Sequence, residues 1–254
     1  MLKPRIIPCL LIKDGGLVKT INFKSPTYIG DPVNAVKIFN EKEADELFLL
    51  DIDATPNNFE PNYKLISQIA TECRMPLSYG GGIKSVEQAK KIIGLGVEKL
   101  AISSRALENL TIINDIASEI GSQSISVVLD VKKKLSGKYE VYTHNGSKRL
   151  NKDPFDLIPK IEEMGAGEIV INSIDDDGKM KGYDLDLAYK AREITNIQLS
   201  ISGGAGSLND IKDLIKKCGI IGAIAGSLFV FKGRFRAVLI NYPSSTDKKN
   251  LFKE

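Results

Sequence analysis

One local arrangement, a strand running through glycines into a helix, is written twice in this chain. The stretch PLSYGGGIKS, residues 76–85, carries a short apolar run into Gly80-Gly81-Gly82 and then into the helix-period segment VEQAKKIIGLG. QLSISGGAGS, residues 198–207, repeats it with Gly203-Gly204 ahead of a helix expected over 208–217. Gly80 and Gly203 stand 123 residues apart, nearly half of a 254-residue chain. Glycines at such a turn take positive φ and let a ligand approach the backbone. The free N–H groups that open the next helix favour an anion. A phosphate-cradling turn repeated at half-length implies two half-barrels, each with a phosphate site.

The rest of the chain fits that frame. Eight apolar runs, at 5–11, 47–52, 76–79, 99–103, 125–130, 168–174, 198–202 and 222–225, alternate with helix-period segments. The helices are expected near 32–42, 62–73, 86–94, 109–119, 154–164, 184–193, 208–217 and 231–240, with Asp31-Pro32 and Asn62 as N-terminal caps. Alternating β and α with continuous apolar strands specifies a parallel sheet covered on its outside. Eight units close it into an α/β (β/α)8 TIM barrel, commonly about 250 residues in one domain. The expectation is a single barrel domain over 1–254, with half-barrels at about 1–120 and 121–245 and a polar, frayed tail at 244–254. A doubly wound open sheet is the competing architecture, disfavoured because neither edge strand reads as polar.

Two connections exceed ordinary length. Residues 12–30 are read as a long loop, and residues 131–150 as a hairpin turning in type I′ geometry at Asn145-Gly146. Both follow strands and so belong at the carboxyl end of the barrel, where such enzymes work. The repeat also aligns Leu11 with Asp130, and Ser104 with Ser227. Two anion sites on opposite sides of the mouth suit an elongated phosphorylated small molecule with a phosphate at each end.

Composition excludes several classes. A net charge of +3 gives no argument for nucleic acid. No apolar run approaches the roughly 20 residues that span a bilayer, and the N-terminus lacks a signal-peptide pattern, so no membrane association and a cytoplasmic location are expected. Cys9, Cys73 and Cys218 are scattered without a CxxC motif, and His144 is the sole histidine. That argues against a disulfide framework, a metal site or a histidine-based triad not built on His144, and no cofactor is expected.

Among candidate groups, Asp130 ends strand 5 and is read as a general acid or base. Lys19, Asp51 and Asp176 are possible substrate contacts. Gly81, Gly82, Ser103 and Ser104 form one candidate phosphate region; Gly204, Gly226 and Ser227 form the other. Cys9 reads as a core residue. At the opposite end, Arg5, Glu46, Lys99 and Glu168 stand at strand starts and would ring the barrel floor with alternating charge, a pattern that on its own is no more than four surface charges.

The segments RIIPCLLIKDG, GDPVNAVKIFNEKEADELFLLDIDA, YGGGIKSVEQA, YEVYTHNG, GAGEIVINSIDDDGKMKGYDLDL and SGGAGS resemble the HisF family, the cyclase subunit of imidazole glycerol phosphate synthase, over about residues 3–240. The resemblance implies a barrel paired with a HisH-like glutaminase whose ammonia enters at the floor and travels to a two-phosphate substrate at the mouth. It makes Arg5, Glu46, Lys99 and Glu168 the ammonia gate and Asp130 the catalytic acid. It also exposes a departure. The family's strand-1 base is an aspartate in a CLDVKDG-like context, and this chain has Leu11 in CLLIKDG. A general base supplies roughly 10²–10⁴-fold, and Asp14 lies about 10 Å further along the strand. Segments such as VKTINFKSPTYIGDP resemble HisF-like proteins of surface-polysaccharide loci, which act with a glutaminase and an N-acetyl-sugar amidotransferase to convert acetamido to acetamidino groups. The alternatives are the histidine-pathway cyclase and a non-catalytic allosteric partner of a glutaminase.

Overall fold

The computed structural model describes residues 3–252. Eight parallel strands form its frame: β1 (Arg5–Lys13), β2 (Leu47–Asp51), β3 (Leu77–Gly80), β4 (Lys99–Ile102), β5 (Ile125–Lys133), β6 (Glu168–Ser173), β7 (Gln198–Ser202) and β8 (Gly222–Ala225). β1 pairs with both β2 and β8, and β5 pairs with both β4 and β6, so the sheet closes on itself. The chain is a (β/α)8 barrel. The two glycine turns end β3 and β7, four strands apart around the ring, which sets them on opposite sides of the mouth.

Local chemistry starts the covering helices where they are needed. Helices α1 (Pro32–Glu41) and α2 (Tyr63–Glu72) begin at Asp31 and Asn62, whose side chains accept from the amides of Asn34 and Leu65. Ser85 caps α3 (Val86–Gly94), while α4 (Thr111–Ile120) has no side-chain cap. Asp153 and Asp184 cap α5 (Pro154–Glu163) and α6 (Leu185–Ile194). Ser207 and Asp210 form a reciprocal capping box on α7 (Leu208–Cys218). Each such cap contributes about 0.5–2 kcal/mol. Every helix turns an apolar stripe onto the outer face of the strands, where one continuous core includes Ile6, Leu10, Leu49, Phe39, Ile66 and Ile169. A separate, smaller cluster of Ile7, Cys9, Phe48, Ala101, Val128, Val170 and Ile224 fills the barrel lumen.

Four expectations need correction. Residues 231–240 are not helical. They hold a small antiparallel pair, Phe231–Lys232 with Ala237–Val238, because Gly233 and Arg236 both take positive φ between them. The eighth outer helix instead comes from the tail expected to fray: α8 (Ser245–Leu251) starts at a Ser244–Asp247 capping box. It buries Leu251 and ties Lys248 to Asp45 at 2.7 Å. With one buried anchor, a helix this short carries almost no periodicity to read.

The long segment after β1 is not a loop but a hairpin, Gly16–Ile21 against Lys24–Gly30, the first strand also pairing with β1. Its turn at Asn22-Phe23 has positive φ at both residues, and phenylalanine is an unusual residue to hold that geometry. The hairpin after β5 turns over four residues, His144 to Ser147, rather than as a two-residue type I′ turn. Three of those residues, His144, Asn145 and Gly146, have positive φ.

Candidate active site in the barrel lumen and mouth

Alternate residues of a barrel strand face inward, so each strand gives side chains to a floor, a lumen and a mouth. β1 supplies Arg5, Ile7, Cys9 and Leu11; β5 supplies Ser126, Val128 and Asp130; β6 supplies Glu168, Val170 and Asn172.

The floor is a closed ionic cluster. Arg5 joins both carboxylates, Glu46 at 2.5 Å and Glu168 at 2.7 Å. Lys99 lies 2.8 Å from Glu168 and 3.8 Å from Glu46. The buried hydroxyls of Ser126 and Ser200 donate to Glu168 at 3.0 and 2.5 Å, and that of Ser78 donates to Glu46 at 3.0 Å. Burial alone would raise the Glu168 pKa, yet the Arg5 and Lys99 charges outweigh it and hold the carboxyl near 2. Gly222 completes the floor, since a Cβ there would fall on the Ser200 hydroxyl. Sequence reasoning found the four charges and missed the three serines, which repeat at the matching inward position of β3, β5 and β7.

Above this cluster the lumen is apolar, and it opens into a cavity of about 470 Å³. All seven candidate phosphate residues line it: Gly81, Gly82, Ser103, Ser104, Gly204, Gly226 and Ser227. Some of their groups are already engaged. The Gly82 amide donates to Thr55 and the Ser104 hydroxyl accepts from the His144 amide. Cations flank both turns, Lys84 and Arg105 lining the cavity at the first, Lys19 and Arg236 standing at the second. Arg236 donates to the Ser227 hydroxyl and to the Gly178 carbonyl, and it comes from the small hairpin in place of the expected helix.

Lys19 is buried. Its ammonium donates to the Cys9 carbonyl at 2.5 Å and occupies space that a Cβ at Gly226 would fill. Burial pulls its pKa below the ordinary lysine value. Asp130 lines the cavity and is partly buried. Burial is the main cause of a pKa pushed up to about 7, and a bond from Asn172 at 2.9 Å pulls the other way. Asp51 lines the cavity while its carboxylate accepts from the amides of Asp53 and Ala54, shaping the turn after β2. Leu11 and Leu50, partners in register, extend the apolar lumen to the rim. Asp14 is out of reach: its side chain is 85% exposed, on a turn beyond the strand.

Asp176 does not line the mouth cavity, although its Cβ stands beside Gly204. It accepts from the Ser173 hydroxyl at 2.6 Å and lines a second, smaller pocket. Its neighbour Asp177 lines the mouth, accepting from the Thr20 hydroxyl and the Phe23 amide and thereby tying the first hairpin across the opening. Three aspartates in a row give no local signal for which one faces inward. Asn172 was also missed, although counting inward positions upward from Glu168 reaches it. Among the described residues no cluster of histidine, cysteine and acidic side chains is arranged to hold a metal, and no helix is long and apolar enough to cross a membrane.

The model of the family described as "Histidine biosynthesis protein" matches residues 5–236. The chain is 56% identical, over 99% of its length and all of the relative, to a Leptospira interrogans protein named "Putative imidazole glycerol phosphate synthase subunit HisF". It is 50% identical, over 96% of its length and 97% of the relative, to a Pseudomonas aeruginosa protein with the corresponding name ending in hisF2. A Streptococcus sanguinis imidazole glycerol phosphate synthase subunit HisF is 39% identical over 90% of this chain and 91% of its own. Full-length identity at this level, on a closed barrel with paired glycine turns, places the chain in the histidine-biosynthesis protein family, among its HisF members.

Proposed function

We propose that this chain is the ammonia-receiving subunit of a glutamine-dependent synthase. A HisH-like glutaminase docks at the floor, and ammonia passes the Arg5–Glu46–Lys99–Glu168 cluster, crosses the lumen and is used at the mouth. The use is conversion of an acetamido to an acetamidino group on a surface-polysaccharide sugar, completed with an N-acetyl-sugar amidotransferase. The observation that carries this reading is Leu11, an apolar rim residue where a ring-closing cyclase of this family has its base, above a floor cluster that is complete.

The geometry suits neutral ammonia. A charged ammonium would have to leave water for a lumen of Ile7, Phe48, Val128, Val170 and Ile224, at a cost of several kcal/mol. NH₃ pays far less for the same passage. Lys99 is the least constrained floor charge, with one short carboxylate contact against two for Arg5, so its swing opens the path. At the mouth, Asp130 is poised to exchange a proton near neutral pH. The glycine turns and their flanking cations hold a phosphorylated ligand.

A second reading is the histidine-pathway cyclase. It is favoured by the relatives' names and by a mouth that keeps both glycine turns and Asp130. The two are separated by assaying ammonia-dependent cyclisation alongside transfer of ¹⁵N from glutamine to a nucleotide sugar with the glutaminase and amidotransferase present. The proposal expects ¹⁵N in the sugar and negligible cyclisation; turnover near that of an ordinary cyclase rejects it. If the chain only activates its glutaminase allosterically, Lys99→Ala will leave product formation unchanged.

A further inference from the structure

The exposed apolar side chains of this chain gather at one place. Of the nine large apolar residues that stand exposed among the described residues, five lie on the two hairpins beside the mouth: Ile21 and Tyr28 on the first, and Phe235, Val238 and Leu239 on or just after the second. Phe235, in the turn of the second hairpin, is 92% exposed, so the fold gains almost nothing from it. Clustered apolar groups in water mark interaction surfaces. The two hairpins adjoin. Arg236 of the second donates to the Gly178 carbonyl at 3.1 Å, and Gly178 packs so closely on Thr20 and Ile21 of the first that a Cβ there would fall on the Thr20 carbonyl oxygen.

Charge on this surface has one sign. Residues 15–30 and 231–246 contain no aspartate or glutamate. Lys24, Lys232 and Arg234 stand exposed there, and none of them forms a salt bridge among the described residues. Apolar anchors beside unneutralised cations complement a protein face that is apolar and acidic. The strand Lys24–Gly30 pairs only with the other strand of its own hairpin, and Pro26 lies within it. A proline blocks strand addition at such an edge, so a partner is met by side chains.

We propose that these two hairpins are the docking surface for the enzyme that consumes the ammonia, which meets them through an acidic face with an apolar centre. The choice of that enzyme rests on the function proposed above, whereas the cationic and apolar character of the surface does not. Ammonia reaching an open mouth near neutral pH would be protonated by water and lost as a nucleophile. A protein seated on the rim shuts that water out. An anionic ligand inside the cavity would account for the cations but has no use for exposed apolar side chains on the hairpins.

The test measures association of the barrel–glutaminase complex with the N-acetyl-sugar amidotransferase of the ¹⁵N assay, by surface plasmon resonance at low and high salt. Phe235→Asp is expected to weaken the complex by roughly 30-fold or more. Lys232→Glu combined with Arg234→Glu should slow association roughly tenfold at low salt and remove most of its salt dependence. Ile21→Asp, on the other hairpin, gives the answer if the Phe235 variant loses its turn, and retained glutaminase binding shows that the barrel is intact. Absence of a complex, or full affinity in both aspartate variants, overturns the proposal. Sedimentation of the chain with phosphatidylglycerol vesicles in place of the protein complex, abolished by Phe235→Asp, also overturns it, because the surface would then be a membrane one. A complex made through the hairpins that delivers no ¹⁵N to the sugar overturns the ammonia reading and leaves the docking surface standing; ¹⁵N delivery that the variants leave unchanged does the reverse.

Discussion

The floor and the mouth of this barrel are built on the same strands, a few residues apart, and their polar groups are treated in opposite ways. At the floor two cations meet two carboxylates and three buried hydroxyls each have an acceptor. At the mouth a partly buried carboxylate has only an amide beside it, a buried lysine bonds a backbone carbonyl, and two polar atoms have no partner among the described residues. Folding alone satisfies the floor. Both arrangements perturb ionisation, but in opposite senses: surrounding charges hold Glu168 near 2, whereas burial lifts Asp130 to about 7.

The sharpest way to test the mouth is to restore what it lacks. Leu11→Asp should raise ammonia-dependent cyclisation by about 10²–10⁴-fold if a missing base is its main difference from a cyclase. An unchanged rate would mean that the cavity has diverged at further positions. At the floor, Glu168→Ala removes the shared partner of Arg5 and Lys99 and should destabilise the fold by about 3–5 kcal/mol in urea titrations. A loss under about 1 kcal/mol would mean that water replaces the carboxylate and the floor is not a closed element.

The pH dependence divides the two regions further. Glu168 has a depressed pKa, so its stabilisation is complete above about 4.5 and fades as pH falls from there toward 2. Asp130 has a raised pKa, so ionising it costs stability as pH climbs from about 3.8 through 7. Asp130→Asn, which cannot ionise, should therefore be more stable than the unaltered chain at pH 8, by a few kcal/mol, and no more stable at pH 4. A pH-independent difference between the two proteins would show that Asp130 is not held in a low-polarity site.

Much of this was legible before any coordinates. Apolar runs and capping residues located all eight strands and seven outer helices, because a strand covered on both faces is apolar throughout and helix starts are fixed by neighbours in sequence. The glycine turns and the four floor charges were legible as a repeat and a resemblance. The failures share a cause. The Asn22-Phe23 turn, the helix at Ser245–Leu251 and the choice between Asp176 and Asp177 are decided by contacts from distant segments: the Asp177 carboxylate, the Lys248–Asp45 pair and the Thr20 hydroxyl.

By itself the sequence determined the barrel, its two glycine turns and the absence of a carboxylate at position 11, since each follows from residue type and local spacing. Only the tertiary structure decided that Lys19 is buried, that Asp177 lines the mouth, and that Asn172 stands beside Asp130 and donates to it. Burial, inward direction and hydrogen-bond partnership depend on which remote strands close around a side chain, and that is settled only when the eighth strand meets the first.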